Sequence, residues 1–97
     1  MEFEWDENKN RSNFVKHGIR FQDAIRVFAD PFYQSDQDRH VGGEERWQTI
    51  GLVELVGLVI VAHTVRDEDG EREIIRIISA RRAERGERQT YEEGTAR

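Results

Sequence analysis

The sequence predicts an α+β fold: an antiparallel sheet with two N-terminal helices on one face and a C-terminal helix. Three observations predict it. Phe21, Ala24, Ile25 and Phe28 follow the i, i+3, i+4, i+7 spacing of a buried helical face. Val and Ile concentrate between Ile50 and Ile78, in runs separated by turn residues. The helical patterns stand before and after these runs, not between them, which segregates helices from strands.

The elements follow in order. Phe3 and Trp5 alternate with Glu2 and Glu4 and read as a short edge strand. Asp6 fits an N-cap and Gly18 the position past a helix end, which places a helix over Glu7–His17. Its apolar content is thin, so it is expected on the surface. The next helix spans Phe21–Phe28 and stops at Asp30-Pro31, because proline disfavours helical geometry in the residue before it. A short strand is expected over Phe32–Gln37 and a polar loop over Asp38–Gly43. Arg46–Val53, Leu58–Arg66 and Arg72–Ser79 then form an antiparallel meander, turning at Glu54 with Gly57 and at Asp67-Glu68-Asp69-Gly70. Ser79 fits the cap of a last helix over Ala80–Glu93, with Glu84 set to pair with Arg88. Gly86 weakens that helix by about 1 kcal/mol relative to Ala. Phe14, Phe21, Ile25 and Phe28 are expected to cover one face of the sheet and to leave the other open for a site.

At 97 residues the chain is expected to form one domain over 1–97. Its core is small, and a permanent partner would support it. The absence of cysteine excludes disulfides, Cys-ligated zinc and thiol chemistry. The acidic start and the shortness of the apolar run Leu55–Ala62, against the roughly 20 residues that span a bilayer, predict a cytoplasmic protein. The net charge of −5 argues against indiscriminate coating of nucleic acid. The charge is unevenly placed, however. All nine bases of residues 46–97 are arginines, and residues 73–91 form a local basic patch.

His17, His40 and His63 are scattered, with no second ligand at metal spacing. Asp67–Gly70 lacks the remaining ligands of a calcium loop. Gly42-Gly43 is followed by acids, not by the Lys-Ser or Lys-Thr pair of a phosphate loop. The informative segment is Ile77-Ile78-Ser79-Ala80-Arg81-Arg82-Ala83-Glu84-Arg85-Gly86-Glu87-Arg88-Gln89-Thr90-Tyr91, with Arg76 just upstream. Arg76 shares a strand face with Ile74 and Ile78, where a charge needs a buried carboxylate or an open, ligand-facing surface. Arg66 ends the neighbouring strand on the face of Ala62 and Thr64. On the expected helix Arg81, Arg85 and Arg88 make a basic stripe, with Arg82 beside it and Tyr91 one turn on. Guanidinium groups beside an aromatic ring suit RNA, through phosphate pairing and base stacking. The same arginines also fit a solvated helix face paired with glutamates.

Phe3-Glu4-Trp5-Asp6-Glu7-Asn8-Lys9, Asn13-Phe14-Val15-Lys16-His17-Gly18-Ile19-Arg20-Phe21, Ala24, Val27-Phe28 and Asp30-Pro31 resemble the BrnT family of bacterial toxins. So do Gly43-Glu44-Glu45-Arg46-Trp47, Gly51-Leu52, Thr64 with Arg66, Arg76–Arg81, Glu87-Arg88 and Tyr91. The resemblance implies a RelE-like fold and a toxin of a type II toxin–antitoxin pair that cleaves RNA and inhibits translation. It further implies a ribbon-helix-helix antitoxin through which the pair binds DNA. Arg66, Arg76, Arg81 and Tyr91 fit the family pattern and are expected to be catalytic, with Lys9, His17, Arg82, Arg85 and Arg88 binding RNA. His63 and Val65 depart from it, since family members more often carry Tyr and Glu there.

The implied chemistry is attack of a ribose 2′-hydroxyl on the adjacent phosphate, with Arg76, Arg81 and Arg66 on the phosphate oxygens and Tyr91 stacking or moving a proton. No metal or other cofactor is required. Histidine is the usual general base near neutral pH, and His63, one residue off the face of Thr64 and Arg66, is one candidate for a catalytic role. The rival class is a non-catalytic module whose arginines dock an acidic partner segment. Direct DNA binding by this chain is disfavoured by its charge and by the lack of helix-turn-helix spacing.

Overall fold

The structure, a computed structural model, describes residues 1–41 and 44–95, without the side chains of residues 39–41. Five strands and three helices follow in order. They are β1 (Glu2–Trp5), α1 (Glu7–His17), α2 (Phe21–Ala24) running into a 3₁₀ turn (Ile25–Ala29), β2 (Gln34–Val41), β3 (Glu44–Val53), β4 (Gly57–Glu68), β5 (Arg72–Arg82) and α3 (Arg85–Thr95). The sheet order is β1-β5-β4-β3-β2.

The sheet is mixed, which corrects the antiparallel expectation. β2, β3, β4 and β5 pair antiparallel through short connections, but β1 pairs parallel with β5, Glu4 opposite Arg76. Short connections are legible as hairpins, whereas a strand some seventy residues from its partner carries no local sign of direction. Strand β2 runs through Val41 in place of the expected loop, and Gly42 and Gly43 lie outside the described residues. Among the described residues no helix is long and apolar enough to cross a membrane.

Helix α1 has the expected bounds. The Asp6 carboxylate accepts from the N–H groups of Asn8 (2.7 Å) and Lys9 (3.3 Å), and Gly18 closes the helix at φ 73°, its N–H donating to the Phe14 carbonyl at 2.8 Å. The face it turns to the sheet is polar. Asn13 Nδ2 donates to the carbonyls of Ile19 and Ala80, both at 2.9 Å, while its Oδ1 accepts the Ala80 N–H at 3.0 Å. Asn10 likewise accepts the Phe21 N–H at 2.8 Å. Phe14, expected in the core, is 42% exposed and carries the Arg20 guanidinium 4.5 Å from its ring centre.

The second helix tightens after Ala24, and its buried face changes period with it. Successive residues i and i+3 eclipse in a 3₁₀ turn, so Phe21, Ala24 and Val27 are fully buried, while the expected Ile25 and Phe28 are half-buried against the core edge. Gly51 of β3 makes room for this turn, since a Cβ there would stand 2.7 Å from the Val27 carbonyl oxygen. The core lies between these helices and one sheet face. It contains Ile19, Phe21, Val27, Val53, Val59, Val61, Ile75, Ile77 and Ala80, with Phe3 and Trp5 at its margin. Each such aliphatic or aromatic side chain contributes about 1.5–3 kcal/mol on burial.

The last helix begins later than expected. Ser79 is not a cap: β5 continues through Arg82 because β4 offers it partners as far as Val59. Helix α3 starts at Arg85, and the Glu84 N–H donates to Glu87 Oε1 at 2.8 Å, one arm of a capping box. The expected Glu84–Arg88 ion pair is absent among the described residues.

Candidate nucleic-acid interface

The sheet face away from α1 and α2 carries the charged cluster. On β1 the alternation turns Phe3 and Trp5 to the core and Glu2 and Glu4 outward. On β5 it turns Ile75 and Ile77 inward and Ile74 and Arg76 outward. A bulge then resets the strand. Ala62 pairs with Ser79 and His63 with Ile77, so Ile78 is an extra residue with no partner on β4. Arg76 and Arg81 stand five residues apart and would face opposite sides of a regular strand. With Ile78 inserted they share one face, Arg81 opposite Ile60 and Arg76 opposite Thr64.

Glu4 bridges two of the expected arginines. Its Oε2 accepts from Arg76 Nη1 at 2.7 Å and its Oε1 from Arg66 Nη2 at 2.8 Å. Arg66 Nε also donates to Glu68 at 3.2 Å. The side chains of Glu4, Arg66 and Arg76 are 32%, 48% and 41% exposed, so solvent reaches all three. Hydrogen bonds from Arg66 and then Arg76 hold the Glu4 carboxyl below the usual carboxylate range, against a smaller opposing effect of burial. Arg81 meets Glu87 of α3 in a bidentate pair, both contacts at 2.8 Å, which lowers the pKa of Glu87 and raises that of Arg81. Arg72 of β5, paired with the outward Glu2 at 2.8 Å, and Arg46 of β3 add two more cations to the face, and the buried Arg46 Nε has no hydrogen-bond partner among the described residues.

Four expected residues lie elsewhere. His63 is buried on the core side, its ring 5.3 Å from that of Phe28. Its Nδ1 stands 3.3 Å from the Thr64 carbonyl oxygen, so Nε2 accepts from Thr49 Oγ1 at 2.7 Å, and Thr49 in turn meets Ser35 Oγ at 2.7 Å. Burial lowers its pKa. His63 therefore stands behind the sheet from Arg76, a separation decided by strand alternation. Lys9 and His17 belong to α1 on that same far side, and Arg82 joins them, donating to the His17 carbonyl at 3.3 Å.

Tyr91, expected to stack on a base, is buried and tied. Its hydroxyl donates to Asp30 Oδ2 at 2.5 Å, and burial followed by that bond pushes the phenol up to about 12. Burial works to raise the Asp30 carboxyl, but bonds from Tyr91 and from the N–H groups of Leu52 and Phe32 hold it below the usual range. Arg85 and Arg88 are exposed on α3, off the strand that carries Arg81, so the expected stripe does not exist. Sequence reasoning missed Glu4, Glu87 and Arg46. The outward alternation of Glu2 and Glu4 was visible, but their partners on β5 and β4 were not.

A family model described as the ribonuclease toxin BrnT of type II toxin–antitoxin systems matches residues 5–87. The chain belongs to the BrnT family. BrnT proteins are ribonuclease toxins, and the system to which they belong supplies an antitoxin as partner. Among solved structures, the chain is similar to the crystal structure of the Brucella abortus ribonuclease toxin BrnT, with a TM-score of 0.62 and 23% identity over 88% of this chain and 99% of that one. That likeness establishes a shared fold. No curated protein matches the chain in sequence. The family match ends at Glu87 and includes the outer-face arginines Arg46, Arg66, Arg72, Arg76 and Arg81.

Proposed function

We propose that this BrnT toxin cleaves RNA on the outer sheet face, at the cluster of Glu4, Arg66 and Arg76, in a RelE-like manner and without a metal ion. The observation that carries this reading is the Glu4 carboxylate held between two solvent-exposed guanidinium groups. Exposed ion pairs add little stability, so a phosphodiester can engage these arginines at small cost. Arg76 commits a single N–H to Glu4 and keeps the rest of its fork for an anion.

In this reading Arg66 and Arg76 hold the non-bridging phosphate oxygens, and Arg81 extends the cationic track. Glu4, ionised at neutral pH, takes the proton of the ribose 2′-hydroxyl. The 2′-oxygen forms the new bond to phosphorus, the bond to O5′ breaks, and O5′ takes a proton from water. The products are a 2′,3′-cyclic phosphate and a 5′-hydroxyl. The arginines offset the negative charge that develops on the phosphate, the part a metal ion would otherwise play. Cleavage of cytoplasmic RNA would inhibit translation, and the antitoxin would be of ribbon-helix-helix type, bearing the DNA contacts of the complex.

The test is cleavage of RNA by the purified chain in the presence of EDTA, with end-group analysis of the products. Arg76→Ala is expected to lower the rate about 10²- to 10³-fold, as loss of an oxyanion donor does. Glu4→Gln is expected to lower it about 10²- to 10⁴-fold, as loss of a general base does. RNA left intact by the unaltered chain would sink the reading in favour of a non-catalytic module.

A further inference from the structure

Between α3 and the outer sheet face lies a cleft of about 180 Å³. Its floor is the cross-strand pair Ile50 and Ile60, its far wall is Glu87 and Thr90 of α3, and Asp36 and Gln48 face each other at its mouth as register partners on β2 and β3. The Glu87 carboxylate is consumed by Arg81. Asp36 and Gln48 are different: among the described residues, no hydrogen bond or ion pair engages either side chain.

Three features of the cleft fit a nucleobase. The isoleucine pair offers an apolar surface for a ring, and the two unengaged polar side chains, Asp36 and Gln48, stand side by side, where an in-plane edge would meet them. The place is also right for RNA. Gln48 follows Arg46 by two residues, so it lies one same-face step, about 7 Å, along β3. By the strand register Arg46 stands level with the row of Thr64, Arg76 and Glu4, so that row lies one same-face step from the cleft.

The donor pattern selects the base. A carboxylate only accepts, whereas an amide both donates and accepts. Guanine alone among the four bases presents two adjacent N–H donors, at N1 and N2, with an acceptor, O6, beside them. Adenine and cytosine each place a ring acceptor next to a single amino group, and uracil flanks one N–H with two carbonyls.

We propose that this cleft is a guanine-recognition subsite, in which Asp36 accepts from N1–H and N2–H, Gln48 donates to O6, and Ile50 and Ile60 support the ring. This deepens the ribonuclease reading and rests on it for the placement of the phosphate. It makes cleavage selective for a nucleotide whose base is splayed out of the single strand, the mode in which proteins read RNA sequence.

The test measures binding of guanosine, inosine and adenosine 3′-monophosphates to the purified chain by NMR titration, so that it does not depend on turnover. Guanosine monophosphate is expected to bind at least tenfold more tightly than adenosine monophosphate, with the inosine compound, which lacks the N2 amine, between them. Asp36→Asn, an exposed and structurally mild change, should abolish the preference. Gln48→Glu, which sets an acceptor against O6, should weaken guanosine binding selectively, while Arg76→Ala should weaken all three alike. Equal binding of the three nucleotides, or a preference that survives in Asp36→Asn, would overturn the proposal. RNA cleavage without guanine preference would fault the subsite and leave the ribonuclease reading standing; guanine preference without cleavage would do the reverse.

Discussion

The Tyr91 hydroxyl donates to the Asp30 carboxylate at 2.5 Å and so fastens the last helix to the end of the 3₁₀ turn. Asp30 also accepts from the Leu52 N–H at 2.7 Å, so three separate elements meet at one acid. Tyr91→Phe leaves that buried acceptor short of a partner and is expected to cost about 1–3 kcal/mol, measured by urea unfolding. The phenol, raised from its usual 10 to about 12, contributes stability in full below pH 10. That contribution is lost as pH rises through 12, which a spectrophotometric titration of the tyrosines would follow.

Asn13 joins α1 to β5 through three hydrogen bonds, with the Ile19 carbonyl and with both backbone groups of Ala80. Asn13→Ala removes them and leaves buried backbone groups unpaired. The expected loss is about 3 kcal/mol, with hydrogen exchange accelerated first at the β5 end near Ala80.

Gly51 lies under the Val27 backbone with no room for a methyl group. Gly51→Ala is expected to destabilise by about 1–3 kcal/mol, as overpacking does. A shift of the urea midpoint would report it; an unchanged midpoint would show that the 3₁₀ turn can move aside.

His63 is buried, and burial holds its folded pKa below the usual 6.5. The unfolded chain therefore binds a proton that the folded chain resists. Stability is expected to fall as pH drops from about 6.5 towards the folded value, and His63→Gln should flatten that part of the pH–stability curve.

The bulge at Ile78 puts Arg81 on the outer face and leaves Arg82 on the helix side. Arg81→Ala is expected to reduce RNA cleavage about tenfold or more, and Arg82→Ala to leave it nearly unchanged. Equal losses from the two would show that the strand does not divide these arginines in solution.

Much of the fold is legible because it is written in local chemistry. Asp6 and Gly18 delimit α1 through bonds made within a few residues, and Pro31 stops the 3₁₀ turn through its effect on Asp30 alone. The strand positions follow from runs of Val and Ile with turn residues between them. The boundary near Ser79 is hidden for a physical reason: Ser79-Ala80-Arg81-Arg82 carries helical propensity, and pairing with β4 overrides it. The polar face of α1 was equally hidden, since Asn10 and Asn13 show no apolar period and take their value from partners distant in the chain.

The residue types of the proposed chemistry, arginines late in the chain and an outward glutamate at position 4, were present in the sequence by itself, as was the alternation of each strand. Which of them meet was decided by tertiary structure. The parallel pairing of β1 with β5 brings Glu4 to Arg66 and Arg76, and one inserted residue turns Arg81 to their side while strand alternation sends His63 to the other. Alternation is a property of a strand read alone, but its phase relative to a partner depends on register, and register is settled only when the whole sheet packs.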